Sequence, residues 1–132
     1  MAETLELEVA TPEHLLVRAQ ATEVQLPGKD GALGILPGHA ALLGQLGDGV
    51  LSYTAGGQPY WLAVDGGFVE VLDDHVRVLA DAAVKAEDIH AGKAKAELQR
   101  ATDALPTASD PDAAIAAVNR AQARVNAAER KS

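Results

Sequence analysis

Cysteine is absent from this 132-residue chain. That excludes disulfides and thiolate metal sites, and it suits a reducing compartment without requiring one. Aromatic residues are nearly absent too, at 3%: Tyr53, Tyr60, Trp61 and Phe68 are all there are. Any core must therefore be built from Leu, Val, Ile and Ala. No window approaches the roughly 20 apolar residues that span a bilayer. Residues 1–20 hold five carboxylates or histidines, so no secretory leader is expected. A hydrophobic content of 48% nevertheless argues against wholesale disorder.

What is present divides in two. Residues 1–79 carry 11 acidic and 3 basic side chains, whereas residues 80–132 carry eight of each. An acidic front half repels phosphates and anionic headgroups, which argues against a nucleic-acid partner and for basic proteins as charged partners. Solubility alone accounts for the same excess, and both readings stand. Eleven of the 12 glycines precede Ala80, and 18 of the 53 residues from Ala80 onward are alanine. Glycine supplies the turns that short strands need, and alanine is the best helix former. The chain switches from β to α near residue 80.

Apolar residues alternate with polar ones at Leu5, Leu7 and Val9, and at Thr22, Val24 and Leu26. The same period of two recurs in Tyr60–Val64, Phe68–Leu72 and His75–Leu79. Turn signals such as Gly47-Asp48-Gly49, Gly56-Gly57, Asp65-Gly66-Gly67 and Asp73-Asp74 separate these runs. The pattern predicts an antiparallel sandwich or barrel. Beyond it, Glu87 to Ala104 reads as a helix with acidic residues in its first turn. Asp110-Pro111 then opens a second, with Asp as N-cap and Pro at the first helical position. The short connection predicts an antiparallel pair. Ile115, Val118 and Val125 form its apolar stripe, interrupted by Gln122. Buried alanine removes little apolar area, so the pair should hold to the sandwich loosely.

Catalytic chemistry finds no candidate. His14, His39, His75 and His90 show no metal-ligand spacing, and neither a nucleophile elbow nor a phosphate loop occurs. Gly28-Lys29-Asp30-Gly31 reads as a hairpin turn. Asp65, Glu70, Asp73 and Asp74 cluster in sequence, but Asp65-Gly66 and Asp73-Asp74 are turn chemistry and Glu70 alternates outward. The segment from Gly31 to Leu43, two glycines around an apolar run and then Pro37-Gly38, is either a tight corner between sheets or a surface shaped for a partner. Both need Gly and Pro for backbone reasons.

Leu26-Pro27-Gly28, with Gly31-x-x-Gly34-Ile35-Leu36-Pro37-Gly38-His39-Ala40, resembles the hallmark of bacterial and chloroplast ATP synthase epsilon subunits. Val64-Asp65-Gly66-Gly67-Phe68-Val69-Glu70-Val71 is similar to the second signature of that family. Val76-x-Val78-Leu79-Ala80-Asp81, followed by two helices, is similar to its closing strand and helical hairpin. The resemblance covers the whole chain in order. It implies an α+β protein: a ten-stranded antiparallel β-sandwich over residues 1–84 and an antiparallel two-helix hairpin over residues 85–132.

The resemblance also implies partners. The sandwich would bind the gamma subunit of the rotor and rest on the membrane c-ring, with Gly28, Lys29, Asp30, Gly31 and Ala32 facing the ring and His39, Ala40 and Leu42 at the gamma contact. The helical hairpin would fold against the sandwich or extend along gamma to the alpha/beta hexamer and block ATP hydrolysis. Such a subunit is non-catalytic and lies at the cytoplasmic face of the bacterial membrane without inserting into it.

Departures from the family pattern also matter. Ala41 stands where proline is common. Relatives that bind ATP in the hairpin carry Ile/Leu-Asp-x-x-Arg-Ala, whereas this chain has Ile89-His90-Ala91-Gly92-Lys93-Ala94. Lysine loses the bidentate fork of arginine, and histidine supplies no carboxylate. Lys93, Arg120 and Arg124 are the candidates for a nucleotide or catalytic-subunit contact, and no cofactor is expected. The rival reading is a free-standing sandwich module with a dimerising helical tail.

Overall fold

A computed structural model describes residues 3–130. Ten strands come first: β1 (Leu5–Ala10), β2 (Leu15–Ala21), β3 (Glu23–Gly28), β4 (Gly31–Ile35), β5 (Leu42–Leu46), β6 (Gly49–Ala55), β7 (Gln58–Asp65), β8 (Gly67–Leu72), β9 (His75–Leu79) and β10 (Ala82–Lys85). A 3-10 turn at Ala86–Asp88 leads to α1 (Ala91–Ala104), and a second at Leu105–Thr107 leads to α2 (Pro111–Arg130).

The strands form one sheet in the order β10-β7-β6-β3-β5-β8-β9-β1-β2, with β4 paired to β3. Strand β3 meets β5 at the single pair Gly28 and Leu46, and there the sheet turns over on itself. Its inward faces enclose Leu5, Leu7, Val9, Val24, Leu51, Leu62, Val64, Val69, Val71 and Val76, all fully buried. Alternation places β1 as expected, since Leu5, Leu7 and Val9 point inward. Thr22 departs from its expected register: it is exposed and donates to the carbonyl of Thr54.

One pairing is not antiparallel. Strand β1 runs parallel to β9, with Leu7 opposite Val76 and Val9 opposite Val78. Strand β1 already forms an antiparallel hairpin with β2, and its other edge meets a strand distant in sequence, where no turn dictates direction.

The first helix also starts later than the sequence suggests. Glu87 and Asp88 lie in the 3-10 turn, and Ile89 is extended and buried among Ala86, Ala94 and Val125. Burying Ile89 takes the chain out of the helix, which restarts after His90. The His90 ring caps it, Nδ1 accepting from the Lys93 N–H at 3.2 Å. The second helix begins as predicted, with the Asp110 carboxylate accepting from the Ala113 N–H at 3.2 Å.

Helix α2 lies on the outer face of β6 and β7, and α1 packs against α2. The contact is a second cluster, made of Ala63, Ala86, Ile89, Ala94, Ala123, Val125, Ala127 and Ala128, flanked by Val50, Trp61, Val84 and Leu98. Strand β7 is thus covered on both faces. Leu62 and Val64 enter the sandwich core, and Ala63 faces the helices, so its last four residues are all buried.

Candidate partner-binding surfaces

The helices cover one outer face of the sandwich and leave the other open. Side chains directly opposite on neighbouring strands share a face. Across β5, β8, β9, β1 and β2, register therefore aligns three rows on the uncovered side. Gln45, Phe68, Leu79, Ala10 and Leu15 form the first. Leu43, Glu70, Arg77, Glu8 and Arg18 form the second, and Leu72, His75, Glu6 and Gln20 the third. Large apolar residues here are open to solvent: Leu43 is 77% exposed and Leu79 62%, with Leu15, Phe68 and Leu72 at half or more. No sequence signal separates these outward leucines from the inward ones, because alternation marks two sides without saying which is wet.

Charged residues fill the middle of that face. Arg18 Nε lies 3.3 Å from Glu6 Oε1, and His75 Nε2 lies 3.2 Å from Glu8 Oε1 and 3.7 Å from Glu6 Oε2. The hydrogen bond from His75 holds the Glu8 carboxyl below its ordinary value, against a smaller opposing effect of burial; Arg77, His75 and Arg18 add charge attraction in the same direction. Glu6, Glu8 and His75 bring ligand atoms within 4.8 Å of one another, a grouping absent from the linear spacing. Arg18 and Arg77 already answer these carboxylates, and the cluster reads as an ion-pair network.

The segment around His39 sits at one end of this face. Gly38, at φ +85°, donates its N–H to Asp74 Oδ1 at 2.6 Å, and His39 N–H bonds the Leu36 carbonyl at 3.1 Å. His39 and Ala40 are exposed. Leu42 is not placed as a surface contact would be: it packs against the sandwich core, and its neighbour Leu43 points outward. The turn is tied to the sheet through Asp74, as a tight corner requires.

Gly28 to Ala32 lie at the other end of β5. Lys29 N–H bonds the Gln45 carbonyl at 3.0 Å, and Gly47 N–H bonds the Pro27 carbonyl at 2.8 Å. Lys29, Asp30, Gly31 and Ala32 are exposed, and Gly28 is half-buried. A side chain at Gly28 would run into the Gly31 carbonyl and Leu33, so the tip closes only with glycine. The five positions form one projecting β3–β4 turn.

The remaining candidates lie in the helical hairpin. Lys93 is exposed in the first turn of α1. Arg120 and Arg124 are not a free basic stripe. Arg124 forks onto Asp65, Nη2 to Oδ2 at 2.9 Å and Nη1 to Oδ1 at 3.3 Å, while Arg120 Nε lies 3.6 Å from Asp48 Oδ2. Asp65, expected as turn chemistry, is the one buried charged residue among those described. Three of the four aromatics gather near the root of the hairpin. Tyr53 and Tyr60 stack with centroids 5.1 Å apart, and with Trp61 they line a cavity of about 340 Å³ that reaches Lys85 and Glu87. Burial pushes the Tyr53 hydroxyl up, and Tyr60 and Glu87 add to it.

No described helix is long and apolar enough to cross a membrane. Residues 4–86 match the family described as ATP synthase, Delta/Epsilon chain, beta-sandwich domain. The chain is 57% identical over 134 residues to the ATP synthase epsilon chain of Solibacter usitatus, covering 99% of this chain and all of that one. It is 42% identical over 130 residues to the ATP synthase epsilon chain of Desulfitobacterium hafniense strain Y51, covering 97% and 98%. Among solved structures, a chain of the Euglena gracilis mitochondrial ATP synthase, described as OSCP/F1/c-ring, shares the fold. Its TM-score is 0.83 at 23% identity, over 98% of this chain and 83% of that one. A chain of the Tetrahymena thermophila mitochondrial ATP synthase central stalk/c-ring aligns less closely, with a TM-score of 0.56 at 16% identity over 65% and 69%.

Proposed function

This chain belongs to the ATP synthase epsilon family, and from that premise we propose that it is a non-catalytic subunit of the central stalk. In this reading it couples the gamma subunit to the c-ring and restrains ATP hydrolysis through its helical hairpin. The observation that carries it is the asymmetry of the sandwich. One outer face is covered by the chain's own helices, and the opposite face exposes Leu15, Leu43, Phe68, Leu72 and Leu79 around a charged centre. Large apolar side chains left exposed together on one sheet face mark a protein-binding surface. Gamma is its proposed occupant, with His39 and Ala40 at the edge and Leu43 in the place first given to Leu42. The Gly28–Ala32 turn, at the far end of β5, faces the c-ring. The subunit is held at the cytoplasmic face of the bacterial membrane by these partners.

The helical hairpin uses no cofactor in this proposal. Arg120 and Arg124 are engaged by Asp48 and Asp65, so an anionic nucleotide would have to displace two carboxylates. Against the alpha/beta hexamer, the extended hairpin would present the same arginines to acidic groups.

Two experiments test this. Replacing Leu43 and Phe68 together by Glu should leave the fold intact and abolish co-purification with gamma; undiminished co-purification would place the contact elsewhere. Truncation after Ala86 should leave assembly intact and raise ATP hydrolysis at low proton-motive force. Equal rates with and without the hairpin would rule out inhibition by it.

A further inference from the structure

We infer that a two-pronged clasp, Arg124 on Asp65 and Arg120 on Asp48, holds the helical hairpin on the sandwich and must open before the hairpin leaves; this rests on the mobile-hairpin reading above.

On the α2 side, the apolar part of the interface is built from small side chains. Ala63 lies under Ala123, Ala127 and Ala128, and Val125 is the largest side chain α2 buries. Alanine contributes little area and offers no ridge to index one helix register over another. The two ion pairs supply the register. Their arginines are one helical turn apart, and their aspartates come from two places on the sheet: Asp65 ends β7, and Asp48 precedes β6. Only one placement of α2 satisfies both.

The inner pair is the stronger. Asp65 is 9% exposed, and its two oxygens meet the two terminal nitrogens of Arg124. The guanidinium is oriented from behind as well, because Nη1 also donates to the Arg120 carbonyl at 3.1 Å. Bidentate pairing in a part-buried setting is worth more than a solvated contact. The outer pair is longer and wetter. A third carboxylate lies close by: a methyl group at Gly66 would sit 2.9 Å from Asp81 Oδ2 and 3.9 Å from Asp48 Oδ1. Removing the helix would take the Arg124 cation from the buried Asp65 carboxylate and the Arg120 cation from Asp48, which raises the free energy of the open state.

The absence of cysteine makes the test direct, since a pair introduced at the exposed positions Glu13 and Asp103 labels uniquely. Spin-label distances in the full chain then report the ratio of docked to undocked hairpin. D65N and R124Q should each lower that ratio about tenfold, as expected for a half-buried pair that loses one partner. R124K, which keeps the charge and loses the fork, should lower it less. R100Q, which removes an intrahelical pair with Glu97, should leave it unchanged. Should D65N disturb the sandwich, R124Q reads the clasp from the helix side, with core amide protection at Leu51 and Val64 as the control. Distance distributions of D65N and R124Q that superimpose on the parent would overturn the clasp. That result would leave inhibition by the hairpin standing, whereas equal hydrolysis by full-length and truncated enzymes would overturn inhibition and leave the clasp intact.

Discussion

Asp74 accepts a 2.6 Å hydrogen bond from the backbone N–H of Gly38, thirty-six positions earlier in the chain. Asp74 is itself in the left-handed region, at φ +60°, beside Asp73 at +50°. One residue therefore closes the β8–β9 turn and anchors the segment that presents His39. Alanine at 74 should lose about 1 kcal/mol for the hydrogen bond and a similar amount for the backbone. Asparagine tolerates positive φ and keeps an acceptor oxygen. D74A should therefore raise hydrogen exchange at Gly38 and His39 and weaken gamma binding, and D74N should restore most of both.

Gly67 approaches the Leu79 carbonyl so closely that no side chain fits, and its φ is +111°. Gly57 also has positive φ, +76°, but open space around it. Thermal unfolding should separate the two demands. G57A should cost about 1 kcal/mol for backbone strain alone, and G67A about 3 kcal/mol or more. Equal losses would mean that the β8–β9 pairing yields to the intruding methyl.

The Glu8 carboxyl, lowered chiefly by its hydrogen bond from His75, gives a pH dependence of known sign. A depressed carboxylate contributes stability that is fully present above its ordinary value of 4.5 and is lost as pH falls through the lowered value. Replacing His75 by alanine should move the Glu8 titration, followed by carboxyl NMR, upward toward 4.5. An unchanged midpoint would assign the shift to Arg77 and Arg18.

Two cores should fail separately. Leu51 is fully buried inside the sandwich, and L51A should cost about 2–5 kcal/mol of global stability. Ala127, on α2, is fully buried in the cluster between the helices and the sandwich, and A127L overfills that site by about 1–3 kcal/mol. A127L should release α2, seen as faster amide exchange along the helix, while the sandwich melts at the parent temperature. A common drop in both would show the two clusters to be one cooperative unit.

Much of the fold was legible because it follows from local rules. Alternation at Leu5, Leu7 and Val9 needs only the pleat of a strand, and Asp110 with Pro111 needs only the orphan N–H groups of a helix start. The start of α1 was not legible, because Ile89 is pulled from the helix by burial among residues distant in sequence. Leu42 and Leu43 show the same limit on the surface: adjacent leucines read alike until the sheet turns over and gives one of them a core.

What the sequence by itself determined is where strands give way to helices, where α2 begins and, through its motifs, the family. These depend on neighbours within a turn or a strand. Only the tertiary structure decided what Asp65 does, which face of the sandwich stays bare, and that β1 runs parallel to β9. Each of these is a relation between segments far apart in the chain, and such pairings are set by how buried area and charge are shared in the folded whole, which no local pattern records.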